Sequence, residues 1–199
     1  MDLSDIKQFL LYDFKSESDI VASVDLIGHN FTKDRAKISK YLSDEKLVSA
    51  YSYFYLPTNM PKLDSVFSYL NKSYDDFSDY EIVDIGTGPG TFLLALLDRL
   101  PGNRFYGVET STLMLKQADK LINGFYPNAD VSLVSKIKDV PKKSKKRLGL
   151  FSHSANEMKV EEVFHYINIL DLDEVLFIEP GTKEFFRKSL ENRCELIKN

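Results

Sequence analysis

The apolar positions change their rhythm near residue 80. Before that point Ile20, Val21, Val24 and Ile27 recur at helical spacing, and Val66, Phe67 and Leu70 after Asp64-Ser65 predict another short helix. Residues 1–75 therefore read as a mostly helical lobe. Pro57 and Pro61 are expected to bracket a stiff extended connection, because each fixes φ and disfavours helix in the residue before it. After residue 80, short apolar runs alternate with amphipathic stretches. Strands are expected at 81–85, 104–108, 131–135, 148–152 and 174–178. Helices are expected at 91–100, where Pro101-Gly102 ends the run, and at 111–122, 160–170 and 183–192. Strands alternating with helices of this length imply βαβ units: an α/β, Rossmann-like parallel sheet with helices on both faces, formed by a second unit at 76–199.

The first strand ends in three glycines within five positions, Asp84-Ile85-Gly86-Thr87-Gly88-Pro89-Gly90. A parallel strand feeding a helix through such a turn presents the start of the helix to a ligand. Gly86 and Gly88 can take the backbone angles the turn needs without a Cβ blocking a close-lying molecule. Asp84 sits at the carboxyl end of the strand, where it can accept a hydrogen bond from a cationic amino group. Glu109, directly after the second strand and 19 residues past Gly90, can accept two ribose hydroxyls at once. A nicotinamide or flavin dinucleotide site uses the same geometry, but its fingerprint is G-x-G-x-x-G. Here the spacing is G-x-G-x-G, with Thr91 in place of the third glycine, and the acid in front suits a ligand carrying an amino group. The pattern favours S-adenosylmethionine, with a dinucleotide and a purely structural glycine turn as the rival readings. No G-K-[ST] follows, which excludes a P-loop.

Together with Glu109 this turn resembles the class I S-adenosylmethionine-dependent methyltransferases. Three further stretches are similar to the methyltransferase-like assembly proteins of the mitochondrial small ribosomal subunit and their bacterial relatives. They are Ala50-Tyr51 with Tyr55-Leu56-Pro57-Thr58-Asn59, Ser152-His153-Ser154-Ala155-Asn156-Glu157-Met158, and Phe177-Ile178-Glu179-Pro180-Gly181-Thr182. The resemblance covers roughly residues 37–190. It implies a methyltransferase sheet of strand order 3-2-1-4-5, and cofactor positions at Asp84, Gly86, Thr87, Gly88, Gly90, Glu109 and Thr110. It also implies ribosomal RNA or the small ribosomal subunit as substrate or partner. The usual sheet of this class ends in an antiparallel hairpin, for which 199 residues leave no room. A binding protein that uses the fold to dock during ribosome assembly, or a small-molecule methyltransferase, are the alternative functions.

Methyl transfer from a sulfonium depends mainly on alignment, with a base where the acceptor is a poor nucleophile. The acceptor region follows the fourth strand, so His153 is the candidate base and Asn156 the candidate acceptor-orienting residue. The plainer alternative is that His153 and Ser154 close the pocket while Asn156 and Glu157 cap the next helix. Glu179 either meets the substrate or stands at a turn in which Thr182 caps the last helix. Tyr51, Tyr53, Phe54 and Tyr55 either stack on a base or pack as core. No Asn/Asp-Pro-Pro-aromatic sequence follows the fourth strand, which leaves exocyclic amine methylation by that route unsupported. Cytosine C5 methylation needs a cysteine at the site, and Cys194 lies beyond it.

Composition adds bounds. The 43% hydrophobic and 28% charged residues are those of a soluble globular protein. No apolar run approaches the roughly 20 residues needed to span a bilayer. With no basic, apolar secretory start at Asp2 and Asp5, a cytoplasmic location is expected. One cysteine excludes an internal disulfide framework and a multi-thiolate metal site. A net charge of −4 gives no general reason for nucleic-acid binding. The exception is residues 136–147, where Lys136, Lys138, Lys142, Lys143, Lys145, Lys146 and Arg147 could contact RNA phosphates or simply form a solvated loop.

Overall fold

The structure, a computed structural model, describes residues 1–33, 43–179 and 181–198. Residues 37–42 of the resemblance and Pro180 lie outside the described residues. Five parallel strands form one sheet in the order β3-β2-β1-β4-β5: β1 Glu81–Ile85, β2 Arg104–Val108, β3 Val131–Val134, β4 Arg147–Ser152 and β5 Glu174–Ile178. The described helices are α1 Glu17–Lys33, α2 Glu45–Asn59, α3 Pro61–Tyr69, α4 Thr91–Leu97, α5 Thr112–Phe125, α6 Val160–Ile169 and α7 Lys183–Lys198. The expected fold class and strand order are those observed.

The sheet is buried on both faces because its strands alternate between two apolar clusters. Ile82, Phe105, Leu148 and Leu150 point to one side and join residues of α2 to α5 in the larger cluster. Val83, Ile85, Tyr106 and Phe151 point to the other and meet Val163 of α6. β1 is buried along its whole length, so a continuous apolar run bounded by glycines marks it clearly. Its first residue, Glu81, pairs with the first residue of β4, Arg147, at 2.6 Å. At 3% and 2% side-chain exposure, each ion depends on the other for its solvation.

Several elements depart from expectation, among them α5, which runs to Phe125, three residues past 122. Pro57 lies inside α2 and Pro61 is the first residue of α3, so the two prolines do not bracket an extended connection. Met60 between them is itself helical, and its amide donates to Leu56 O at 3.0 Å. A proline at the first helical position gives up only an amide that has no partner there anyway. Around Pro57 the Thr58 hydroxyl donates to the carbonyls of Phe54 and Tyr55, at 3.1 and 3.0 Å. α4 ends at Leu97, three residues before the expected 100, with the chain turning ahead of Pro101. α7 runs on to Lys198, past 192.

The segment before α1 is strapped down. Gln117 of α5, fully buried, donates to Phe9 O and accepts from Leu11 N and from the Ser49 hydroxyl of α2. Among the described residues no helix is long and apolar enough to cross a membrane.

Candidate functional site

The strand order reverses between β1 and β4, and in open α/β sheets that reversal opens a crevice at the strands' carboxyl ends. Ile85 is level with Val108 on one side and Phe151 on the other. The glycine turn, Glu109 and His153-Ser154 therefore meet at one edge. The amides of Gly86 and Thr87 both donate to Val108 O, at 2.8 and 3.1 Å, which ties the turn to β2.

The glycines do different jobs. Gly86 holds φ +75°, and a Cβ there would lie 2.5 Å from Ser154 Cβ. Gly86 is thus a packing requirement of the protein itself, since the Ser154 hydroxyl donates to Ile85 O just beneath it. Gly88 holds φ +55°, and a Cβ there would meet nothing within 4 Å. Its open side is the side from which a ligand can approach the backbone.

Asp84 is fully buried. Its Oδ2 accepts from the Thr87 hydroxyl at 2.7 Å, while its Oδ1 has no hydrogen-bond partner among the described residues. Burial pushes the carboxyl up to about 7, opposed by the Thr87 bond and aided by the nearby charge of Glu109. Glu109 reaches back over the turn. Its Oε2 accepts from Gly88 N at 3.1 Å, and its Oε1 accepts from Ser111 N at 2.8 Å and from the Thr110 hydroxyl at 3.4 Å. Of the seven predicted cofactor positions, Asp84, Gly86, Thr87, Gly88, Glu109 and Thr110 gather at the ends of β1 and β2, whereas Gly90, at the start of α4, packs against Ala118 and Ile122 of α5.

The acceptor side is built by β4 and α3. His153 holds φ +61°, uncommon for a residue with a Cβ, and its amide donates to Ile178 O at 2.8 Å. Its Nε2 lies 3.3 Å from Lys62 Nζ. Burial, then the Lys62 charge, hold the imidazole down at about 4, so it is neutral at physiological pH. Asn156 is engaged elsewhere. Its side-chain amide donates to Glu179 Oε2 and to His153 O, and its carbonyl accepts from Lys188 Nζ of α7. The Asn156 amide thus links the ends of β4 and β5, and burial holds the Glu179 carboxyl above its usual range. Neither Asn156 nor Glu157 caps α6, whose N-cap is Lys159.

The aromatic run divides. Tyr53 packs against the larger core cluster. Tyr51 and Tyr55 stack on one another with centroids 4.8 Å apart. Burial pushes the Tyr51 hydroxyl well above its usual value, with further contributions from Tyr55, Glu157 and Glu109. Tyr51 also packs against the small cluster formed by Val48 of α2 and Met114 of α5.

The basic stretch is split between the two ends of the sheet. Lys143 pairs with Asp171 and Asp173 at 2.9 and 3.1 Å, Lys145 with Asp79 at 2.7 Å, and Arg147 with Glu81. Lys146 lies over the Tyr80 ring. These residues gather at the start of β4, about 16 Å along that strand from the crevice at ~3.3 Å per residue. Lys136 and Lys138 instead follow the end of β3. Lys62 carries no signal along the chain; only the fold brings it to His153.

No family model matches the sequence, and no curated protein matches it. Solved structures do match. The mitomycin 7-O-methyltransferase MmcR aligns over 94% of this chain and 59% of its own, at 15% identity and a TM-score of 0.57. An O-methyltransferase family protein from Burkholderia thailandensis aligns over 82% and 51%, at 16% identity and a TM-score of 0.59. A putative O-methyltransferase from Nostoc punctiforme PCC 73102 aligns over 88% and 53%, at 16% identity and a TM-score of 0.51. The chain has their fold. This Rossmann-like methyltransferase fold spans, in the present chain, between half and three fifths of those structures' lengths.

Proposed function

We propose that the chain is an S-adenosylmethionine-dependent methyltransferase whose cofactor lies across the glycine turn. The observation that carries this reading is the buried Oδ1 of Asp84, without a partner among the described residues, in the same turn as the open Gly88, whose amide donates to the Glu109 carboxylate. These residues fit the cofactor's parts. Asp84 would face a cationic amino group, directly or through water; Glu109 would take ribose hydroxyls; Gly88 would let the chain of the ligand pass. The bound cofactor supplies a methyl group activated on a sulfonium. The protein's share would be to hold that methyl group in line with an acceptor beside His153 and the turn.

The acceptor implied by resemblance is ribosomal RNA or another component of the small ribosomal subunit, with Lys136 and Lys138 as cations at the crevice end of the basic stretch. A small-molecule acceptor is favoured by a separate observation: Lys143, Lys145 and Arg147 are spent on internal ion pairs at the far end of the sheet. Incubation with methyl-labelled S-adenosylmethionine, small ribosomal subunits and a cell extract separates the readings. Label in ribosomal RNA or protein supports the first acceptor, and label in the small-molecule fraction the second. Label in neither, with cofactor binding intact, overturns the enzyme and leaves a methyltransferase-like assembly factor.

A further inference from the structure

Among the described residues Lys62 is a cation without an anion. Its neighbour on α3, Asp64, is committed to the Tyr74 hydroxyl at 2.6 Å and to Arg99 at 3.3 Å. Among the described residues no carboxylate forms an ion pair with Lys62. What its ammonium meets instead is the neutral ring of His153, at 3.3 Å. Donation from Lys62 leaves Nε2 as the acceptor, so the ring proton belongs on Nδ1. His153 then has no free lone pair and is poorly placed to act as a base.

The placement of the pair points to a ligand. His153 holds its left-handed backbone at the end of β4, and strain of that kind costs of order 1–3 kcal/mol and collects at binding sites. Phe92, in the first turn of the helix after the glycine turn, lies beside the imidazole with centroids 6.4 Å apart. The Tyr51–Tyr55 stack belongs to α2, the helix that leads into α3. The Phe92 ring thus lies beside the pair, next to the glycine turn. Lys62 is itself exposed, so its ammonium is open to an incoming ligand.

We propose that Lys62, seated on His153, binds the ionised oxygen of the methyl acceptor, and that the acceptor is a small molecule bearing a phenolate or carboxylate. This inference rests on the cofactor reading above and names the acceptor class for it. Transfer to such an oxygen needs no base. The oxygen–carbon bond forms as the carbon–sulfur bond breaks, the negative charge of the acceptor and the positive charge of the sulfonium cancel, and the acceptor's proton has already left to water. An amine acceptor in its cationic form is repelled by Lys62. The role of His153 is positioning: it fixes the ammonium without neutralising it, as a carboxylate would.

The test follows the His153 ring resonances by NMR while the full chain, with and without S-adenosylhomocysteine, is titrated with benzoate, benzamide and inorganic phosphate. Benzoate is expected to shift them saturably and to bind about tenfold more tightly than benzamide, the scale of one hydrogen bond to a charged group. Lys62→Gln is expected to lose that preference and to raise the His153 pKa, while Lys62→Arg keeps the preference. Equal binding of benzoate and benzamide, or an unchanged preference in Lys62→Gln, overturns the proposal. A stronger response to phosphate than to benzoate also overturns it, and moves the site toward a phosphate-bearing ligand. S-adenosylhomocysteine affinity is measured apart by calorimetry. Its absence sinks the cofactor reading, whereas loss of the benzoate preference alone sinks only the oxyanion site.

Discussion

Replacing each of the first two glycines of the turn by alanine separates what the fold needs from what a ligand needs. Both hold positive φ, so both variants carry a backbone cost of about 1–2 kcal/mol for an L residue in that region. Gly86→Ala adds a contact of 2.5 Å with Ser154 Cβ, which must move although its hydroxyl is bonded to Ile85 O. Overpacking of a well-filled site costs typically about 1–3 kcal/mol. The sum for Gly86→Ala is then about 2–5 kcal/mol, against only the backbone cost for Gly88→Ala, where nothing lies within 4 Å. Urea denaturation followed by circular dichroism, with m-values held equal, measures both. A further Ser154→Gly replacement should recover part of the loss in Gly86→Ala and nothing in Gly88→Ala, as a double-mutant cycle. Equal destabilisation of the two single variants within about 0.5 kcal/mol, or no coupling to Ser154, would refute the packing argument.

Asp84 gives a pH signature. Its carboxyl is raised from an ordinary value near 4 to about 7, so the folded state favours its protonated form. Its contribution is fully present below about pH 4 and is lost as the pH rises through 7, by up to about 4 kcal/mol for three pKa units. Stability curves of wild type and Asp84→Asn should diverge over that window, and parallel curves would show that Asp84 is not held protonated. The Glu81–Arg147 pair predicts a structural loss far from the crevice. Arg147→Met leaves a buried carboxylate unpaired and should cost about 3–5 kcal/mol in urea denaturation, whereas a loss below about 1 kcal/mol would contradict the burial of Glu81.

The parts of the fold readable from sequence were those in which one residue type answers one local demand. β1, β2 and β5 appear with the expected bounds because short apolar runs ended by turns or glycines have few other ways to fold. Asp84 and Glu109 fall at the ends of β1 and β2 because the apolar runs that mark those strands stop there. Pro57 misled because local preference was outweighed by the packing of α2, which carries the fully buried Val48, Ala50 and Leu56 into the core. The basic stretch looked uniform along the chain, yet its cations are sorted by acids from distant segments, Asp79, Glu81, Asp171 and Asp173. Lys62 was invisible for the same reason: its meaning lies in His153, 91 positions away. Side-chain pairs that depend on tertiary closure leave no spacing in the sequence to find.

The proposed ribose contact of Glu109 is the part of the cofactor reading most directly open to measurement. Isothermal titration of S-adenosylhomocysteine into wild type and Glu109→Ala tests it. Saturable binding that weakens by about 1–3 kcal/mol in the variant, the scale of hydrogen bonds to a charged group, is the predicted result. No binding by the wild type, or equal affinity in the two proteins, would contradict the claim that the glycine turn and Glu109 together hold this cofactor.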